Sequence, residues 1–393
     1  MSAPQFVIAS PGHASIYDAE ALTLHKQGLL HFIAMGTRRG VDGLPAEVTR
    51  LNPAFGLSAY IAAKTMSPFA AESFRCRLYP WLDRWVRKQL RPGNCIISSY
   101  AYANASFQWV RAHGGKTFLD GGNSHPENFW EILTEEHRRW ESPYLPVARH
   151  YYERSRAMME HVDYVFTASN YVARSFLARG FKPEQLLPHP RPLNLAAFQP
   201  LEKERPQNKP LTLIHTGAIC LRKGTPYLLE AVRLIRKKIP NVRLHMRNTV
   251  RDDMKEILKR YSDLPITWLG WVPHHELAKP LQEADIFILP SLEEGMVLTA
   301  VEAMGCGLPV ILTPNCGAND LVQPGVSGEV VPIRDPQAIA DAVFKWTEKI
   351  LAPGYRPRMT VNKELLTLEH FDKTLVGQLK ALGLLPRSSS SKS

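Results

Sequence analysis

The sequence predicts an α/β protein of two domains, each a parallel sheet wrapped by helices, with the two sheets facing each other across a cleft. Three observations predict it. Short apolar strand-type runs alternate with helix-type stretches in both halves of the 393-residue chain, the pattern of a parallel sheet with crossover helices. A proline-dense stretch holding Pro188, Pro190, Pro192, Pro200 and Pro206 interrupts that rhythm, as a linker does. Glycines stand where predicted strands turn into helices, at Gly12, Gly121, Gly217 and Gly295, and such turns at the carboxyl edge of an open sheet are where ligands bind.

In chain order, 5–10 reads as a strand, Pro11-Gly12-His13 as a turn and 16–27 as a helix. No G-x-G-x-x-G and no P-loop occurs at this turn. The segment 74–91 carries Arg75, Arg77, Arg84, Arg87, Lys88 and Arg91 against a single Asp83, interleaved with Phe74, Tyr79, Trp81 and Trp85. It reads either as a surface helix with its aromatics in the core or as an interfacial helix on anionic lipid. Runs 94–98 and 116–120 are further strands, and the second ends in Gly121-Gly122-Asn123-Ser124-His125, which makes His125 a candidate site residue. Glu131, Glu135 and Glu136 follow on what reads as a solvated helical face. Run 163–169 is another strand entering a helix, and 186–195 opens the proline-rich linker.

The expected boundary is at 200, dividing domains 1–200 and 201–350. Strands are expected at 211–216, 242–246, 266–269, 286–289, 310–313 and 328–332, with a helix from Asp335-Pro336 to about 346. A last helix, 363–382, follows a break at 353–357, and 388–393 reads as a disordered serine-rich tail.

Composition narrows the class. Hydrophobic residues make up 45% of the chain, enough for globular cores. No apolar run approaches membrane-spanning length, and Met1 to Ser10 lacks signal-peptide character, so a cytoplasmic location is expected, with peripheral contact to the inner face of a membrane through 74–91 as a further expectation. The five cysteines are widely spaced and form no C-x-x-C pair, which argues for buried free thiols over a zinc site or a disulfide framework. The net charge of +11 is spread over both halves. Without a basic tail or recognition motif it does not indicate nucleic-acid binding, and it suits anionic substrates.

The most informative stretch is 284–305. An apolar strand runs into Pro290, the chain turns through Glu293-Glu294-Gly295, and from about Met296 the pattern becomes helical, with Val297, Val301 and Met304 on one face. A helix start exposes backbone N–H groups that attract anions. Glu294 stands at its mouth and Glu302 lies inside it, so the two carboxylates could hold opposite ends of one elongated ligand. Upstream, Arg222-Lys223-Gly224 sits between a strand and a second helix start. Cations and helix N-termini suit a diphosphate, and a carboxylate such as Glu302 suits a vicinal diol. No D-x-D triplet or metal-ligand cluster occurs, so no metal is expected.

Glu294 and Glu302 with seven residues between, within Ala-Asp-Ile-Phe-Ile-Leu-Pro-Ser-Leu-Glu-Glu-Gly and Glu-Ala-Met-Gly-Cys-Gly-Leu-Pro-Val, resemble the E-x7-E signature of retaining glycosyltransferases of family 4 (glycosyl transferases group 1). The resemblance extends to Gly317–Pro332, Leu269-Gly270-Trp271-Val272-Pro273 and 217–231, and Asp120-Gly121-Gly122-Asn123-Ser124-His125 is similar to the strand-end histidine motif of a bacterial branch. It implies the GT-B fold, two Rossmann-like domains, and a hexosyltransferase in which an N-terminal acceptor domain faces a C-terminal nucleotide-sugar domain and the last helix crosses back to the first domain. It implies a UDP- or GDP-linked sugar as donor, a glycan or lipid-linked acceptor and no cofactor. Glu294, Lys223 and His125 would act at the reaction centre. Gly12, Gly217, Arg222, Lys223, Glu294, Gly295, Met296, Val297, Leu298, Thr299 and Glu302 would bind the donor, with Glu302 on the ribose. Where the family carries Gly-Arg this chain has Gly217-Ala218, leaving Arg222 to substitute. A GT-B nucleotide-sugar epimerase and a catalytically silent GT-B binding protein are the alternatives.

Overall fold

The computed structural model describes residues 4–385, apart from 13, 38, 202–204, 207 and 271–272. The tail at 388–393, His13 and the Trp271-Val272 pair lie outside the described residues.

Seven strands form the first sheet: β1 (Phe6–Ser10), β2 (Leu30–Met35), β3 (Thr49–Leu51), β4 (Cys95–Ser98), β5 (Thr117–Gly121), β6 (Tyr164–Thr167) and β7 (Leu186–Pro188). Their order is β3-β2-β1-β4-β5-β6-β7, and every pairing is parallel. Six strands form the second: β8 (Thr212–Thr216), β9 (Arg243–Arg247), β10 (Ile266–Gly270), β11 (Ile286–Leu289), β12 (Val310–Leu312) and β13 (Gly328–Val330). Their order is β10-β9-β8-β11-β12-β13, again wholly parallel. In each sheet the order reverses beside the first strand, between β1 and β4 and between β8 and β11. Such switch points open a crevice at the carboxyl ends of the strands. β1, β5, β8 and β11 are almost wholly buried, which is why they read as continuous apolar runs rather than alternating ones.

The helix Pro68–Arg87 turns Cys76, Tyr79, Leu82 and Val86 inward and leaves Trp81, Arg84 and Arg87 outside. Its aromatics are therefore divided between core and surface. Among the described residues no helix is long and apolar enough to cross a membrane. All five cysteines are free and buried.

Two local expectations need correction. Leu186–Pro188, read as the start of a linker, is the edge strand β7, where a proline costs no ladder hydrogen bond. His189, Arg191, Leu195 and Phe198 beyond it are buried as well. The helix after β11 begins at Leu298 rather than Met296, because Val297 keeps extended dihedrals at the cap.

The final helix, Leu368–Ala381, buries Phe371, Leu375 and Leu379 in the first half's core with Phe6, Ile8 and Phe118. Thr23 and Lys26 on the helix Ser15–Lys26 reach Asp372. This helix thus packs on the half that holds β1. The two halves also meet through the helix Pro126–Arg139, whose Leu133 packs within the core cluster of the second half.

Candidate active site between the two sheets

After β8 the chain makes a single 3-10 turn, Leu221–Lys223, and reverses at Gly224 (φ 67°) before entering the helix Thr225–Lys238. A Cβ at Gly224 would lie 1.9 Å from the carbonyl oxygen of Pro290, so only glycine allows the two turns after β8 and β11 to touch. That contact brings the cations to the carboxylates. Lys223 Nζ contacts Glu294 Oε2 directly. Arg222 Nη1 donates to Glu294 Oε2 at 2.9 Å and lies 3.3 Å from Glu293 Oε2. Burial and the adjacent Arg222 guanidinium push the Lys223 ammonium down to about 7, against the pull of Cys220, Cys316 and Glu293. Gly217, at φ 138°, leaves room beside the Lys223 stem.

Glu302 sits one helical turn deeper and is 1% exposed. His274 Nε2 lies 2.6 Å from its Oε1, while its Oε2 has no hydrogen-bond partner among the described residues. Burial raises its pKa, opposed by His274 and Arg247. A buried carboxylate oxygen without a partner is costly unless a ligand supplies a donor. Val297 is buried, and Met296, Leu298 and Thr299 are half-buried where the chain enters the helix.

The facing wall comes from the loop after β5. Ser124 N donates to Glu293 Oε1 at 2.9 Å. A Cβ at Gly295 would stand 1.8 Å from the carbonyl oxygen of Gly122, so the halves meet backbone to backbone. Asp120 at the end of β5 is held by Arg191, which anchors this loop from beneath.

The same loop continues into His125, which the family resemblance assigns to the reaction centre. The ring lies against Phe176 at 5.2 Å and Phe181 at 6.1 Å. Its Nδ1 accepts from the N–H of Glu127, capping the helix it precedes, and burial drops its pKa to about 4. A histidine at a helix N-cap satisfies an orphan N–H, and that local bond sets the rotamer. Gly12 ends β1 at the carboxyl edge of the first sheet with open space beside it, and its N–H lies 3.3 Å from Ser10 Oγ.

The reading of Glu136 needs correction. Read as solvated, it is 0% exposed and clamps the halves together. It accepts from Tyr227 Oη at 2.7 Å, Trp140 Nε1 at 2.8 Å and Arg334 Nε at 2.7 Å. Glu293, His274 and Arg191 also went unnoticed in the sequence. Glu293 and His274 carried a signal, since each adjoins a motif already singled out. Among the described residues no group of three His, Cys, Asp or Glu side chains is placed to hold a metal ion.

Comparison with known proteins places this geometry in a class. Residues 210–349 match the family model described as Glycosyl transferases group 1. Across 96% of this chain and 99% of the other, the fold matches the sucrose-phosphate synthase of Thermosynechococcus elongatus, with a TM-score of 0.69 at 18% identity. HepE of Anabaena, solved in complex with UDP-glucose, matches over 96% of this chain and 99% of its own with a TM-score of 0.61 at 13% identity. The fold is GT-B, as expected from the sequence. Among curated proteins, the amylovoran biosynthesis glycosyltransferase AmsK of Erwinia amylovora is 27% identical over 158 residues, 36% of this chain and 37% of that protein. The chain spans about half the length, or less, of the first curated relatives it matches.

Proposed function

We propose that the chain is a retaining glycosyltransferase of family 4 that moves a hexose from a UDP- or GDP-linked sugar to a glycan or lipid-linked acceptor without a metal. The observation that carries this proposal is the convergence of Lys223 and Arg222 on Glu294, one helical segment away from a buried Glu302 with an unpartnered oxygen. Two cations already held against a carboxylate form a preformed site for a diphosphate, which replaces that carboxylate as their partner. The UDP and UDP-glucose in the HepE structures support the same ligand class.

In this mechanism Glu302 Oε2 accepts from the ribose hydroxyls. Backbone from Gly295 to Thr299 faces the diphosphate and sugar, Gly217 admits the phosphates beside Lys223, and Gly12 leaves space on the opposite wall. The acceptor oxygen attacks the anomeric carbon from the leaving-group side and forms the new glycosidic bond. The bond from that carbon to the diphosphate breaks with its electron pair, and Lys223 and Arg222 stabilise the charge that develops. The hydroxyl proton passes to the departing phosphate oxygen.

The test is turnover across a panel of UDP-, GDP- and ADP-sugars, with and without acceptor sugars. Transfer with retained anomeric configuration is expected; no turnover and no nucleotide affinity with any donor would overturn the proposal. Glu302→Ala is expected to weaken nucleoside diphosphate binding by about 10- to 100-fold, the worth of one or two charge-assisted hydrogen bonds. Titration calorimetry with UDP and GDP checks this, and an unchanged Kd removes Glu302 from the ribose.

A further inference from the structure

Beside the phosphate cations the cleft opens into a cavity of about 240 Å³. Its floor and one side come from helices of the first half, and Arg222, Arg251 and Asp253 of the second half close it. Its lining is rich in aromatic rings: Phe69, Phe129, Tyr144 and Tyr152 all reach it. Phe69 and Tyr144 stand 6.1 Å apart as a tilted pair, and Tyr152 is backed by Trp130 in a 4.4 Å stack. Tyr144 and Leu145, on the loop between two of these helices, are 36% and 43% exposed although large and apolar.

The polar groups of the cavity are unevenly used. Arg251 is paired with Glu72 at 3.0 Å and Arg222 with Glu294 at 2.9 Å, so both cations already have carboxylate partners. Asp253 differs. Its Oδ2 accepts from the N–H of Leu221 at 3.1 Å and lies 3.8 Å from His137 Nε2. Its Oδ1 is buried without a hydrogen-bond partner among the described residues. Burial raises this carboxyl to about 6.

We propose that this cavity binds the acceptor, and that the acceptor presents a neutral pyranose ring there, its C–H face on the aromatic rings and a hydroxyl donating to Asp253 Oδ1. The negative faces of aromatic rings attract the C–H edges of a sugar, and a carboxylate oxygen is the natural partner for a hydroxyl. An anionic group would meet Asp253 and Glu72, with Arg251 already paired to Glu72 and Arg222 committed to the diphosphate of the donor. Arg222 lines the cavity and also contacts Glu294, so the cavity adjoins the phosphate cations, the side from which retention of configuration requires the acceptor to approach. The assignment rests on the glycosyltransferase proposal, and the experiment keeps the two separable.

Ligand-observed saturation-transfer NMR is run on the full chain with and without UDP. The probes are methyl α-glucoside, α-galactoside and α-mannoside, with methyl glucuronide and glucose 1-phosphate as anionic counterparts. At least one neutral pyranoside is expected to receive saturation, and Tyr144→Ala, Phe69→Ala and Asp253→Asn should each weaken it about tenfold while UDP affinity stays unchanged. Tyr144 is exposed, so its removal leaves the fold intact even if the other two variants are damaged. No neutral pyranoside binding, binding indifferent to Tyr144→Ala, or binding confined to the anionic probes overturns the assignment. UDP binding alongside such a failure leaves the donor proposal standing. Pyranoside binding without UDP affinity sustains the cavity assignment and removes the donor proposal.

Discussion

Lys223→Ala is expected to lower kcat/KM for sugar transfer by about 100- to 1,000-fold, or about 3–4 kcal/mol of transition-state stabilisation, the effect of removing one preorganised donor from a developing anion. Its nitrogen is buried and already positioned against Glu294, so the variant removes that charge and leaves Arg222 to act without it. The same residue gives a pH dependence whose sign is fixed. Burial and then Arg222 hold its pKa at about 7. A bound diphosphate favours the ammonium and raises that pKa. The Lys223 contribution to UDP affinity is therefore full below about 7 and declines as pH rises through that value toward the pKa of the complex. The terminal phosphate of UDP, whose last ionisation lies near 6, is almost fully charged above about pH 7 and does not mask the decline there. Calorimetric titration from pH 7 to 9 reads it directly. A flat profile, or a Lys223→Ala enzyme with wild-type kcat/KM, would remove Lys223 from the leaving group.

Gly295→Ala is expected to reduce kcat by about 100-fold or more. The added carbon would stand 1.8 Å from the carbonyl oxygen of Gly122, and neither atom belongs to a side chain that can rotate away. The halves must then part by the order of an ångström, a displacement that costs about 100-fold when reacting groups sit on opposite walls. Small-angle scattering should show a more open particle than wild type. A variant with the same scattering curve and the same kcat would show that the Gly122–Gly295 contact does not set the working geometry.

Much of the second half was legible because its chemistry and its local structure coincide. Phe287 to Leu289 must be apolar to be a central strand, Gly224 must be glycine to let two turns touch, and Lys223 and Glu294 sit on those same turns. Local sequence pattern therefore placed them on these turns, and the family resemblance supplied their expected roles. The first half was harder to read. β2 carried a signal, an apolar run between Gly28 and Gly36, that went unused. β7 was obscured by Pro188, which an edge strand tolerates. His125 was legible as a candidate from where the strand ends, but its rotamer was not, since that follows from a bond to Glu127 N–H and from Phe176 and Phe181, which come from a distant part of the chain. Glu136 reads as solvated on its own helix, since the groups that bury it, Tyr227 and Arg334, lie 91 and 198 positions away.

The Glu136 clamp bears on how fast products can leave. Separating the walls of the cleft strips this carboxylate of Tyr227 and Arg334 together and admits water to a site that excludes it. Arg334 meanwhile sits at φ 63°, an unfavourable backbone state for a residue with a side chain. Loss of the bonds to Glu136 resists opening. The turnover rate of such an enzyme can be governed by a latch that touches neither sugar nor nucleotide, and slow substitutions there would act on release while leaving the bond-making step alone.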